Sequence, residues 1–158
     1  MPRKTWVTEM IYSVIPYESA GPIKFGFTQL QTEQAIGSSD FTNKNRYGNI
    51  VEYRNNKTLT CIYKKDTLNL TEVNFSSPGD IVTIDQKNIW DINFTEILEL
   101  SKQSPVYQGF GSVVIFDFGV ALTGFFPRED EIKAINVFKK LFLLSIFPLF
   151  SCFCIYKT

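Results

Sequence analysis

Residues 110–126 read FGSVVIFDFGVALTGFF, and residues 47–63 read YGNIVEYRNNKTLTCIY. The two stretches align without a gap at an offset of 63 residues. Each opens on an aromatic residue and a glycine, continues as an alternating apolar run and closes on an aromatic residue. Such alternation is typical of β-strands. Because Asn55-Asn56 and Gly119 supply turn residues at the two centres, each stretch predicts a β-hairpin.

A short helix is predicted before each hairpin. Thr28 and Gln31 have the spacing of a capping box, and Gly37 is the expected C-terminal glycine of the first helix. The segment WDINFT of residues 90–95 matches IKFGFT of residues 23–28, and a second helix is predicted over about 95–103. The sequence therefore predicts an internal repeat covering about 23–63 and 90–126. Chance similarity of two alternating hairpins is the alternative.

Four further elements complete the predicted fold. They are a first strand over 5–15, a strand pair over 67–75 and 80–85, and a last helix over 129–140. The last helix has acidic residues in its first turn and lysines in its last, as the helix dipole favours. We therefore predict one α+β domain over residues 1–140, in which an antiparallel sheet built from two helix-hairpin units carries helices packed on one face.

The composition favours a protein without catalytic chemistry. The chain has no histidine, so the commonest general base and metal ligand is missing. Gly109-x-Gly111 lacks the third glycine and the helix of a dinucleotide fingerprint. Glu129, Asp130 and Glu131 are neighbours on the predicted helix and would point in different directions. We expect no enzyme, no metal and no cofactor.

The cysteines and the C-terminal segment bear on the cellular compartment of the protein. Cys61, Cys152 and Cys154 have no zinc-like spacing, and the first twenty residues lack a secretion signal, so a cytoplasmic protein is expected. Residues 141–158 form a hydrophobic tail. Its apolar run over 141–156 is shorter than the about 20 residues of a membrane-spanning helix and contains a proline. A membrane anchor, a core element and a segment foreign to the native protein all remain open.

Charge is distributed unevenly along the chain. Residues 1–65 carry a net charge of +4, residues 66–131 carry −8 and residues 132–158 carry +4. The acidic middle segment indicates a surface that steers and binds a basic protein partner. Aromatic residues of the same segment would anchor that partner. The candidate binding residues are Asp66, Glu72, Asp80, Asp85, Trp90, Asp91, Tyr107, Phe110, Asp117, Glu129 and Asp130.

The segment VIPYESAGPIKFGFTQLQTEQAIG, residues 14–37, resembles the opening of bacterial toxin-immunity proteins of the contact-dependent growth-inhibition and polymorphic-toxin type. The matching positions cover under a fifth of the chain; they are Gly21, Ile23, Phe25, Gly26, Phe27, Thr28, Ile36 and Gly37. The resemblance implies a cytoplasmic inhibitor that binds the C-terminal domain of one cognate toxin. Many such toxins are basic nucleases, which an acidic surface would block.

The expected function is therefore neutralisation of a basic toxin domain through the acidic segment, with no nucleic-acid partner. Three alternatives remain open. An enzyme would require carboxylates that cluster in a pocket. A membrane-associated accessory protein would depend on the 141–156 run. A small RNA-binding module would depend on the basic residues around the first hairpin, which are Lys44, Arg46, Arg54, Lys57, Lys64 and Lys65.

Overall fold

The computed structural model describes residues 10–100, 106–109, 112–125 and 132–139. In chain order its elements are β1 (Ile11–Ile15), β2 (Ser19–Ala20), β3 (Ile23–Lys24), α1 (Gln29–Ile36), β4 (Phe41–Lys44), β5 (Ile50–Arg54), a 3-10 turn (Asn55–Lys57), β6 (Leu59–Tyr63), β7 (Leu70–Ser76), β8 (Ile81–Ile84), β9 (Lys87–Asn88), α2 (Phe94–Leu100), β10 (Val106–Gly109), β11 (Ser112–Ile115), β12 (Val120–Thr123) and β13 (Ala134–Phe138).

These strands form two sheets within the described ranges. The large sheet has eight strands in the order β10-β11-β12-β13-β7-β6-β5-β4, and every neighbouring pair in it is antiparallel. The small sheet has the order β3-β2-β1-β8-β9, and its central pair, β1 with β8, is parallel. The small sheet lies over one face of the large one, as the contact between the Tyr12 and Phe75 rings shows, with 4.8 Å between their centroids. We call this the inner face.

The predicted α+β class is wrong. The described chain is mostly β-structure in two sheets, with two short helices, and it is not a single sheet carrying a layer of helices. Strand β4 lies in a polar segment whose sequence is typical of a loop. All four of its side chains are exposed, so the strand has no alternation of apolar and polar residues that sequence reasoning could detect. The sequence indicates strands at β1 and β8, but it does not predict their parallel pairing into a second sheet.

The predicted last helix over 129–140 is also wrong where the structure describes it. Residues 134–138 form β13, which pairs with β12 on one side and β7 on the other. Ile135 and Val137 lie on the inner face and are fully buried, while Asn136 between them points outward. This period of two fits a strand between two neighbours, and tertiary pairing outweighs the helical charge pattern.

The local predictions around the first helix and the hairpins are confirmed. Helix α1 starts with the reciprocal Thr28–Gln31 capping box and ends at Gly37. Strands β5 and β6 pair across residues 55–58, and β11 and β12 pair across residues 116–119. Strands β7 and β8 exist, but the prediction that they pair with each other is wrong: β7 pairs with β6 and β13.

The large sheet has two similar halves. The pair Arg54–Leu59 closes the first hairpin and the pair Ile115–Val120 closes the second, and each encloses four residues. The structural offset between these pairs is thus 61 residues, two fewer than in the sequence alignment. Where the halves meet, Asn74 of β7 lies opposite Asn136 of β13. The halves are therefore related by an approximate two-fold rotation through this pair.

The two sheets are also joined at the β1–β2 turn. The Tyr17 hydroxyl donates a hydrogen bond to the carbonyl of Phe116 in the second hairpin turn. Its ring lies against Gly119, where a Cβ atom would come within 2.8 Å of Tyr17 Cε1. Gly119 has a φ of 62°, which a residue with a Cβ adopts only at a cost. This close approach requires glycine at position 119.

Candidate functional site

Two carboxylates and one tryptophan from the predicted set come together where β7 passes into β8. The indole Nε1 of Trp90 donates a hydrogen bond of 2.9 Å to the backbone carbonyl of Asp80, and Asp91 follows Trp90 directly. The Asp80 carboxylate accepts a hydrogen bond from Asn55 Nδ2, and the Asp91 carboxylate accepts one from Asn88 Nδ2. We call Asp80, Trp90 and Asp91 the Asp80 cluster.

The charges of this cluster are available to a partner. The hydrogen-bond donors to its two carboxylates are neutral amides, and neither Asp80 nor Asp91 forms an ion pair with any described lysine or arginine. Asp91 is exposed, and the Trp90 ring is half-buried, so the cluster combines unneutralised charge with an aromatic surface. One described cation contacts the cluster: the Lys133 ammonium donates to the Trp90 carbonyl at 3.5 Å and lies 4.9 Å from the Phe125 ring centroid.

The other acidic candidates lie elsewhere. Asp66 is exposed in the β6–β7 turn, at the end of β7 opposite to Asp80. Asp85 is exposed in the β8–β9 turn, and Asp117 is exposed in the β11–β12 turn, beside Tyr17. Burial raises the pKa of the Tyr17 hydroxyl, and the charge of Asp117 raises it further. The acidic block of the sequence is therefore split between two ends of the sheets.

Glu72 differs from the other acidic candidates, because its side chain is only 8 % exposed. It lies on the outer face of β7, next to the pseudo-two-fold position, and accepts a hydrogen bond from Asn136 Nδ2. Burial raises the pKa of the Glu72 carboxyl, although hydrogen bonds from Asn136 and Asn74 act in the opposite direction. A carboxyl group in this position is poorly placed to meet a partner protein.

We expect Glu72→Gln to change how stability depends on pH. The raised pKa means that the folded state binds the Glu72 proton more tightly than the unfolded state does. Wild-type stability therefore falls as pH rises from about 4.5 through the folded-state pKa. The variant removes this loss, so its stability relative to wild type should be greater at pH 8 than at pH 4. Urea unfolding at both pH values measures the difference, and an equal difference at both would contradict the burial of a charged Glu72.

A buried polar network that sequence reasoning missed lies on the inner face of β5. Glu52 and Arg54 form an ion pair with 2.9 Å between Oε2 and Nη2, and their side chains are 5 % and 3 % exposed. Tyr63 donates its hydroxyl to Glu52 at 3.0 Å, and Gln29 of α1 donates its amide at 3.0 Å. Arg54 also donates to the carbonyl of Gly37, at the end of α1. The network therefore ties the first helix to the sheet.

Electrostatic effects in this network are strong. Burial by itself lowers the pKa of Arg54, but the hydrogen bond and charge of Glu52 outweigh it and raise the pKa. Burial raises the pKa of the adjacent Cys61 thiol to about 12, so the thiol stays protonated. Arg54 Nε is buried and has no hydrogen-bond partner among the described residues. Arg54 therefore cannot belong to the exposed basic patch in which the sequence placed it.

The second half of the sheet has apolar residues at the equivalent positions. By the hairpin closing pairs, Val113 corresponds to Glu52 and Ile115 corresponds to Arg54. Val113 is 2 % exposed and Ile115 is fully buried. The same structural position thus accepts either an apolar pair or an ion pair, and the ion pair is specific to the first half.

Several predictions lie outside what the structure describes. Phe110, Glu129, Asp130 and the 141–158 tail fall outside the described residues, and of Tyr107 only the backbone, in β10, is described. In the described ranges no helix is long and apolar enough to cross a membrane. The same ranges contain no group of three or more acidic or cysteine side chains arranged to hold a metal ion.

Comparison with known proteins adds no assignment. No family model matches the chain, and neither a curated protein nor a solved structure matches it. The arrangement of the described residues must therefore support any functional proposal by itself.

Proposed function

We infer that this chain is a cytoplasmic immunity protein that binds and neutralises a basic toxin domain. The observation that carries the proposal is the Asp80 cluster, where a half-buried tryptophan is hydrogen-bonded to the backbone of Asp80 and adjoins Asp91 in the chain, and where both carboxylates lack ion pairs with described residues. Carboxylates of this kind attract a basic partner and form charge-assisted hydrogen bonds with its lysines and arginines. A partly buried aromatic ring at the centre of such a surface is a common anchoring residue.

The hydrogen bonds of the cluster favour binding over a purely solvated role. Asn55 and Asn88 hold the two carboxylates in place, at 2.8 and 3.1 Å, so little side-chain entropy is lost when a partner binds. The Trp90 indole is fixed in the same way by the Asp80 carbonyl. A pre-organised surface of this kind gives affinity without any catalytic group.

The proposal predicts that a large secreted protein with a basic C-terminal domain is encoded beside this chain, and the experiment is a pull-down with that domain at low and at high salt. Tight binding that weakens as salt rises supports the proposal, because screening acts on exposed charges. Absence of binding at either salt concentration would contradict it.

We expect the double variant Asp80→Asn with Asp91→Asn to weaken toxin binding about tenfold or more, since it removes both charges and preserves the shape of the cluster. Asp66→Asn is the matched control, because Asp66 is an exposed carboxylate at the opposite end of β7. It should change the dissociation constant by less than about twofold. A loss of binding free energy in the control of half or more of that in the double variant would show that only overall charge matters, because the control removes one charge and the double variant removes two.

A further inference from the structure

The edge strand β4 and the turns beside it form a basic and aromatic surface that the proposed function does not use. Strand β4 ends the large sheet, and all four of its side chains are exposed. We call the surface formed by Phe41, Arg46, Tyr47, Tyr53 and Lys57 the β4 surface.

The aromatic rings of the β4 surface are presented in a fixed geometry. Phe41 is 44 % exposed and stacks on Tyr53 of β5, with 4.5 Å between the ring centroids and 15° between the ring planes. Tyr47, in the β4–β5 turn, is 61 % exposed. These rings lie at the two ends of β4, so the surface extends along the whole edge strand.

Each end of the surface also carries a cation next to an aromatic ring. Lys57 Nζ lies 5.6 Å from the Phe41 ring centroid, and the Arg46 guanidinium lies 4.7 Å from the Tyr47 ring centroid. Lys44 is the last residue of β4 and pairs with Ile50, whereas Phe41 pairs with Tyr53, so the Lys44 side chain lies on the opposite face of the sheet from Phe41. None of these cations pairs with a carboxylate among the described residues. Asp40 adjoins the surface, and its carboxylate accepts a hydrogen bond from the backbone N–H of Asn56.

We propose that the β4 surface binds single-stranded nucleic acid. A single strand carries both phosphate charges and flat bases, and this surface carries the complements of both, a cation beside an aromatic ring at each end of β4. The carboxylates of an acidic protein would be attracted by the cations, but they would not stack on the aromatic rings as bases do. Of the basic residues named from the sequence, Arg54 is excluded, because it lies in the buried network with Glu52.

The test is fluorescence anisotropy of the full chain with a labelled oligouridylate of about eight nucleotides, a length within the usual range for one binding surface. We expect saturable binding at low salt. Phe41→Ala should weaken it about 5- to 100-fold, the cost of one lost base stack. Lys57→Ala should reduce the slope of log affinity against log salt by about 0.7, the value for one phosphate contact. Tyr47→Ala provides a second variant at an exposed turn position.

Matched controls come from exposed residues away from the β4 surface. Leu30→Ala, on α1 and 63 % exposed, removes an apolar side chain, and Lys87→Ala, on β9, removes a lysine. Neither should change the affinity. The proposal is overturned if the oligonucleotide does not bind at low salt, or if Phe41→Ala and Tyr47→Ala leave binding unchanged. It is also overturned if polyglutamate competes as well as the oligonucleotide, which would mark a site for acidic proteins.

Discussion

Replacing Glu52 alone by leucine is expected to lower the free energy of unfolding by about 3–5 kcal/mol, the usual cost of leaving one charge buried without its partner. The loss arises because Arg54 is 3 % exposed and would retain its charge with no carboxylate beside it. Tyr63 and Gln29 would lose their acceptor in the same variant. Urea unfolding followed by circular dichroism measures the loss, and Glu52→Gln, which preserves the shape, is the milder variant if the leucine variant does not fold.

The double variant Glu52→Leu with Arg54→Met tests the origin of this loss. The second half of the sheet accepts Val113 and Ile115 at these positions, so an apolar pair is compatible with the fold. We expect the double variant to be more stable than the Glu52→Leu variant, with an interaction energy of about 1–3 kcal/mol in the double-mutant cycle. Strictly additive losses would contradict the pairing.

Gly119→Ala is expected to lower the free energy of unfolding by about 2–4 kcal/mol through two effects. The backbone at position 119 has a φ of 62°, and the new methyl group would lie 2.8 Å from Tyr17 Cε1 and 3.3 Å from the Phe138 carbonyl oxygen. The Phe138 carbonyl belongs to a strand, and the Tyr17 ring is held by its hydrogen bond to Phe116, so neither can move away at low cost.

The matched control for this prediction is Gly26→Ala. Gly26 also has a positive φ, but no atom lies within 4 Å of the position that a Cβ would take there, so its replacement measures backbone strain alone. The loss for Gly119→Ala should exceed that for Gly26→Ala, and combining it with Tyr17→Ala should remove most of the excess. Equal losses at the two glycines would show that Tyr17 does not restrict position 119.

Features set by neighbouring residues could be predicted from the sequence. The capping box of Thr28 and Gln31 involves residues three apart, and the turn of the first hairpin depends on Asn55 and Asn56, which adopt positive φ. Both are local interactions that need no knowledge of the rest of the chain.

Features set by distant contacts could not be predicted. The segment of β13 has the charge pattern of a helix, but β7 and β12 on either side of it provide strand pairing. In β5 the apolar Val51 and Tyr53 alternate with Glu52 and Arg54, and the alternation favours burying the apolar pair. Glu52 and Arg54 nevertheless lie on the inner face, because Glu52 pairs with the buried Cys61 of the neighbouring strand β6.

The candidate site also combines features that the sequence could predict with features that depend on distant contacts. The charge count identified an acidic stretch of sequence. Part of that stretch is strand β7, and an extended strand holds the residues before it far from the residues after it. Asp66 and Asp80 therefore lie at opposite ends of β7, and Glu72 between them is buried. The hydrogen bond from Trp90 to Asp80 joins two residues whose pairing no sequence pattern indicates.

The most direct test of the proposed function is growth rescue in cells that express the adjacent toxin domain. We expect the wild-type chain to restore growth, and the Asp80→Asn/Asp91→Asn variant at equal abundance to fail. The Asp66→Asn control should protect as well as wild type. Growth arrest that persists with abundant, folded wild-type chain, or full protection by the double variant, would contradict neutralisation of a toxin through the Asp80 cluster.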